Sequence, residues 1–306
     1  MARRTVAELC RDAAWSQWAA IGVSSNRARQ PRYAVDVEAA IAFAPALNEL
    51  EPRLFEEVVD WCSRFAGGFV SLTRLKQVLD LFASRHRPVF DRFAAVINRV
   101  GQTKWPTTLG PQPPVRLTGK SRLALATPAA VQLRARKAFG ISARSDVIVA
   151  LLLSPRGWTR ISVLANLGYT KRALSDALGD LYAGGVVDKL EVGNSLRYKL
   201  AKPKSLAQLL APLPRTHWAP WPQRFAIAER LLDVERRIEG KSPTVRAVEA
   251  HKALAGMAEL LGTIEEAGPT STRGGGGGGG GGGRGRGVTT DPWDDVVAWA
   301  APMLSP

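Results

Sequence analysis

The sequence predicts a mainly α-helical protein: a multi-helical N-terminal region, a central unit of three helices closed by a β-hairpin, further C-terminal helices and a glycine-rich coil. Three observations predict it. Apolar residues recur at spacings of three and four through much of the first hundred residues, a stretch near residue 190 switches to a period of two, and ten consecutive glycines, Gly274 to Gly283, interrupt the chain. The expected divisions are 1–121, 122–203, 204–268, 269–290 and 291–306.

In the first division, Pro52 sits where a first helical turn tolerates it. Leu54, Phe55, Val58, Val59, Cys62 and Phe65 then form one apolar stripe. Beyond Gly67 and Gly68, Ser71 is placed to cap a helix carrying Leu75, Val78, Leu79 and Phe82, and Phe90, Phe93, Ile97 and Val100 follow at helical spacing. These stripes are core positions. Residues 101–121, with four prolines, three glycines and no sustained periodicity, are expected to form a long surface loop.

From residue 122 a basic helix is expected to lead into the central unit. Ser145 is read as the cap of a helix with Val147, Ile148, Leu151 and Leu152 on one stripe, ended by the turn at Ser154, Pro155, Arg156 and Gly157. A second helix is expected from about Arg160 to Ala165. Gly168 then supplies the positive φ of a tight turn, and Thr170 caps a third helix held inward by Leu174, Ala177, Leu178 and Leu181. Its other side presents Lys171, Arg172, Ser175 and Asp176. After Gly184 and Gly185, VVDKLEVGNSLRYKL alternates with period two around Gly193 and Asn194, a hairpin pattern. Continuous alternation would put Leu190, Val192, Leu196, Tyr198 and Leu200 on one face, and Lys189, Glu191, Arg197 and Lys199 on the other.

Three helices followed by such a ribbon resemble the winged helix-turn-helix of bacterial transcriptional regulators of the MarR and ArsR kind, over residues 144–202. The resemblance implies a DNA-binding regulator. Lys171, Arg172 and Ser175 would lie on the recognition helix in the major groove, and Thr170 at that helix's amino end would meet a phosphate. Asn194, Arg197 and Lys199 would form the wing, and Arg160 would clamp a phosphate. Asp176 and Asp180 depart from this pattern, because carboxylates on the presented side repel phosphate.

The charge balance points the same way. Lys and Arg number 42 against 27 acidic residues, a formal net charge of +15, which favours polyanionic partners. No Asp or Glu occurs between Asp91 and Asp146, while ten Lys and Arg residues do, and such a run repels itself unless an anion or acids elsewhere in the fold compensate it.

Toward the C-terminus, Trp218, Pro220, Trp221 and Pro222 read as an extended connection. One helix with Phe225, Ala228, Leu231, Leu232 and Ile238 follows, then another capped by Ser242 with Pro243 at its first position. Their stripes suit either a dimerisation arm or packing onto the same chain. The glycine tract, running into RGRG, has no side chains to bury and is expected to be a disordered linker. DPWDDVVAWAAPML then predicts a short acidic, aromatic helix capped by Asp291, with Trp293, Val296, Val297 and Ala300 on one face, docked over the basic surface or a partner groove.

Other functions find less support in the residues. Cys10 and Cys62 are too few for a disulfide framework or thiolate metal site, and His86, His217 and His251 are isolated. There is no GxxxxGK phosphate loop and no GxSxG nucleophile turn, so neither catalysis nor a cofactor is expected. Acidic and basic residues at Glu8, Arg11 and Asp12 break any export signal, and the longest apolar run, Val147 to Leu153, is too short to cross a bilayer; a cytoplasmic protein is the expectation. The expected partners are double-stranded DNA and a second copy of the chain. The alternative is a protein-interaction module, such as the antitoxin half of a toxin-antitoxin pair.

Overall fold

The computed structural model describes residues 4–25, 31–101, 103–110, 112–113, 115–154, 157–267 and 292–305. The turn at Pro155 and Arg156, the glycine linker and the Asp291 cap lie outside the described residues. The fold is mainly helical with one small antiparallel sheet.

Helix α1 (Val6–Ala20) starts at Thr5, whose hydroxyl accepts from the Glu8 N–H while the Glu8 carboxylate accepts from the Thr5 N–H. Helix α2 (Val37–Phe43) is capped by Asp36, and α3 (Pro52–Phe65) begins at the proline that fits a first turn. Helix α4 (Leu72–Leu79) is capped by Ser71, and α5 (Arg87–Gly101) packs along α3. Leu54, Val58, Trp61, Leu75, Val78, Phe90, Phe93 and Ile97 are buried in one core, as their helical spacing requires. Cys10 and Cys62 are free thiols in that core, and burial pushes both above the ordinary thiol range.

The described residues between 103 and 127 form no long helix or strand, yet the segment is strapped to the body. The Asn98 side chain accepts from the Trp105 N–H and donates to the Trp105 carbonyl, and the Asp60 carboxylate, buried on α3, accepts the N–H groups of Gly119 and Ser121. The helix expected from residue 122 starts later. Residues 122–124 run extended along the chain at Ile21 and Gly22, Arg122 N donating to Gly22 O (2.8 Å) and Ala124 N to Ile21 O (3.1 Å). Pro128 disfavours helical backbone at Thr127, so α6 spans only Val131–Phe139.

Helix α7 (Ala143–Leu152) is capped at Ser142 rather than Ser145. Ser145 is the third residue of the first turn, its hydroxyl donating to Ser142 O at 2.8 Å. Strand β1 (Thr159–Arg160) precedes α8 (Ile161–Leu164), so Arg160 belongs to a strand and not to a helix. Helix α9 (Lys171–Ala183) is followed by β2 (Val187–Val192) and β3 (Ser195–Leu200). The sheet order is β1-β3-β2, both pairings antiparallel. Val147, Val149, Leu164, Leu174, Leu178, Val187, Tyr198 and Leu200 form a second core beneath it.

After α10 (Pro203–Leu209), α11 (Trp221–Ile238) is buried along nearly its whole length in the first core. Trp221 and Pro222 open this helix instead of an extended connection, consistent with proline's tolerance in a first turn. Helices α12 (Pro243–Ala255), α13 (Ala258–Ala267) and α14 (Pro292–Met303) are the last of the described elements. Helix α14 packs against α1 and α12, burying Trp293, Val296, Val297, Ala300 and Met303 in the first core. It is a wall of that core, in place of the expected cover over the basic surface.

Candidate nucleic-acid interface

The turn before α9 is built locally. Gly168 has φ +73°, a left-handed conformation, and the Thr170 hydroxyl accepts from the Ala173 N–H at 3.2 Å to cap α9. Leu174, Ala177, Leu178 and Leu181 bury one side of α9. Thr170, Lys171, Arg172, Ser175, Asp176 and Asp180 are exposed on the other. The Arg172 side chain is 93% exposed and reaches Asp176 only at 3.9 Å, a separation that adds little in water. Asp180 pairs with Arg144 of α7 at 3.0 Å, which offsets one of the two carboxylates on this side.

The hairpin corrects the expected division of its faces. Gly193 and Asn194 form a two-residue connection, and Val192 pairs with Ser195, so odd-numbered residues of one strand sit opposite even-numbered residues of the other. Directly paired residues share a face, and running the alternation straight through the turn therefore put β2 on the wrong side. One face carries Val187, Lys189, Glu191, Leu196, Tyr198 and Leu200, of which Val187, Tyr198 and Leu200 are buried. The opposite face carries Asp188, Leu190, Val192, Ser195, Arg197 and Lys199. Leu190 and Val192 are 40% and 45% exposed there.

Arg160 of β1 lies directly opposite Arg197 of β3 and joins the same outward face. Like charges in cross-strand register repel, so the pair is unfavourable until an anion sits across it. Lys199, two residues along, stacks its ammonium 4.6 Å from the Trp158 ring centre and lies 3.5 Å from Asp188. Asn194 is exposed at the hairpin tip. Thus Arg160, Arg197 and Lys199 share one sheet face, Lys171, Arg172 and Ser175 share one side of α9, and α9 packs against β2. Trp158 escaped the sequence reading, and Leu190 and Val192 were expected on the opposite face. The rule that a two-residue turn reverses the parity of a hairpin would have found the last two.

A second feature lies beneath the turn. Arg74 of α4 donates to both Asp36 carboxylate oxygens, to Glu38, and through Nε to the Leu167 carbonyl at 2.6 Å. Arg136 of α6 donates to Glu38 at 2.6 Å and to Asp146 of α7 at 2.9 Å, and the Tyr169 hydroxyl donates to Asp146 at 2.9 Å. The side chains of Arg74, Arg136, Asp36, Glu38 and Asp146 have no solvent exposure. Burial alone would raise the Asp146 carboxyl, but Arg136 outweighs it and holds the group below its ordinary value. At Asp36 burial wins over Arg74 and the carboxyl is raised. Burial, reinforced by Asp146, raises the Tyr169 phenol, which stays protonated and donating.

Among the described residues no group of three or more His, Cys, Asp or Glu side chains is placed to hold a metal ion, and no helix is long and apolar enough to cross a membrane. No protein-family model, no curated protein and no solved structure matches the chain.

Proposed function

We propose that residues 144–202 are a winged helix-turn-helix that binds double-stranded DNA, α9 entering the major groove and the hairpin lying on the backbone. The observation that carries this reading is the outward sheet face, where Arg160 and Arg197 oppose each other in register beside Lys199. Backbone phosphate is the anion that relieves such a pair, and each phosphate neutralised releases counterions. The exposed side of α9 adds Lys171, Arg172 and Ser175 for base edges and flanking phosphates, with the Thr170 end for a phosphate.

Titrating fluorescent duplexes across a range of salt concentrations tests it. Affinity is expected to fall steeply with salt, and Arg197→Ala or Lys199→Ala is expected to lower the log-log slope by about one without altering sequence preference. Arg172→Ala is expected to relax preference among genomic fragments at a cost of about 1–3 kcal/mol for the best site. A salt slope unchanged in both wing variants would overturn the reading.

A second reading, a protein-interaction module of the antitoxin kind, is favoured by Leu190 and Val192, apolar and exposed on the same face. If they form the contact, Leu190→Ser with Val192→Ser abolishes assembly with a stoichiometric protein partner and leaves duplex affinity unchanged.

A further inference from the structure

A cleft of about 430 Å³ opens between α5, α11 and the start of α3, on the N-terminal body rather than the sheet, and its volume suits a small organic molecule. Phe55, Val89, Phe93 and Leu232 supply apolar wall. The charged lining is balanced, Glu49, Glu229 and Asp233 against Arg85, Arg92 and Arg236, but its members are not equally engaged. Arg236 pairs with Glu49 at 3.2 Å. Arg85 leans to Asp233 at 3.2 Å, and Asp233 also takes Arg237 at 3.0 Å.

That leaves two ends open. Glu229, 7% exposed, has one oxygen 3.6 Å from Arg85, while its buried Oε2 has no hydrogen-bond partner among the described residues. Burial pushes this carboxyl above its ordinary value, against the opposing pull of Arg85, Arg230 and the Ala83 backbone, and a buried oxygen without a donor is costly. Arg92 is exposed and makes no ion pair among the described residues. A plain cation entering the cleft meets three guanidiniums, and a plain anion meets three carboxylates. A dipolar molecule satisfies both open ends.

We propose that this cleft binds a zwitterion with an apolar body, an apolar amino acid or short apolar peptide, its ammonium donating to Glu229 and its carboxylate accepting from Arg92. The apolar body rests on Phe55 and Phe93. Binding here goes beyond the DNA reading and does not require it.

Isothermal titration calorimetry on the full chain tests this with leucine, phenylalanine and dileucine as zwitterions, phenethylamine as the ammonium alone, and 3-phenylpropionate as the carboxylate alone. At least one zwitterion is expected to bind about tenfold or more tightly than either single-charge probe. Arg92→Ala, a surface change, is expected to weaken the zwitterion about tenfold and leave phenethylamine unaffected, and Glu229→Gln is expected to weaken both the zwitterion and phenethylamine while sparing 3-phenylpropionate. The proposal is overturned if no zwitterion gives saturable heat up to about 10 mM, if a single-charge probe binds as tightly, or if Arg92→Ala changes nothing.

Discussion

At Gly168 the left-handed backbone and the packing impose the same residue. A Cβ there would lie 3.0 Å from Val78 Cγ2, so any other residue meets both the cost of positive φ and a neighbour on α4. Gly168→Ala is expected to cost about 1–2 kcal/mol, read as a lower urea midpoint with unchanged m-value, and an unchanged midpoint would contradict it. Gly168 and the Thr170 cap were legible because both requirements are local. Arg74 and Arg136 were not, since a charged side chain carries no sign of its own burial. Arg136 stood among the ten cations of the acid-free run, yet its field is spent on Glu38 and Asp146. Arg134 is similar, donating to the carbonyls of Leu125, Thr127, Leu210 and Pro212, so the run offers less free positive surface than its count implies.

Between elements, the five buried charges couple α2 and α4 to α6, α7 and the turn that starts α9. Three carboxylates face two guanidiniums, and the surplus falls on Asp36. Removing one partner of a buried pair strands the other, so Asp146→Asn is expected to cost about 3 kcal/mol. Asp36→Asn, which relieves the surplus and keeps a good cap, is expected to cost less. The pH dependence follows from the directions. The Asp146 carboxyl titrates below 3.8 in the fold, so its stabilisation is present above about pH 4 and is lost as pH falls through the folded value. Asp36 is raised, so its ionisation costs stability at neutral pH, and that cost is relieved as pH falls through its folded value. Urea midpoints of wild type and Asp146→Asn are therefore expected to converge only below about pH 4, and a constant gap down to pH 3 would refute the assignment. Element boundaries from apolar periodicity held at α3 and α5, whereas α4 ends at Leu79, short of Phe82, which was expected on the same helix. They slipped where a proline redirected the chain, at Pro128 and Pro222.

For the molecule as a whole, distant parts of the chain close one core. Helix α14 covers α1 and α12 with Trp293, Val296, Val297 and Met303, side chains each worth about 1.5–3 kcal/mol on full burial, less the entropy of ordering the helix. Truncation after residue 267 is expected to lower the melting temperature by about 5 °C or more, whereas a helix that merely covered a binding surface would leave it unchanged. Its apolar face was legible in the sequence, but not its seat, because periodicity gives a face and no address. The buried charges have a further consequence for how the central unit travels. Residues 144–202 look portable, yet Asp146 and Tyr169 carry half of a lock whose other half is Arg136, Glu38 and Arg74. Grafted onto a foreign scaffold without those three, the unit would leave the Asp146 carboxylate with no guanidinium and only the Tyr169 hydroxyl beneath its own turn, so transplanting this head means transplanting part of its shoulder.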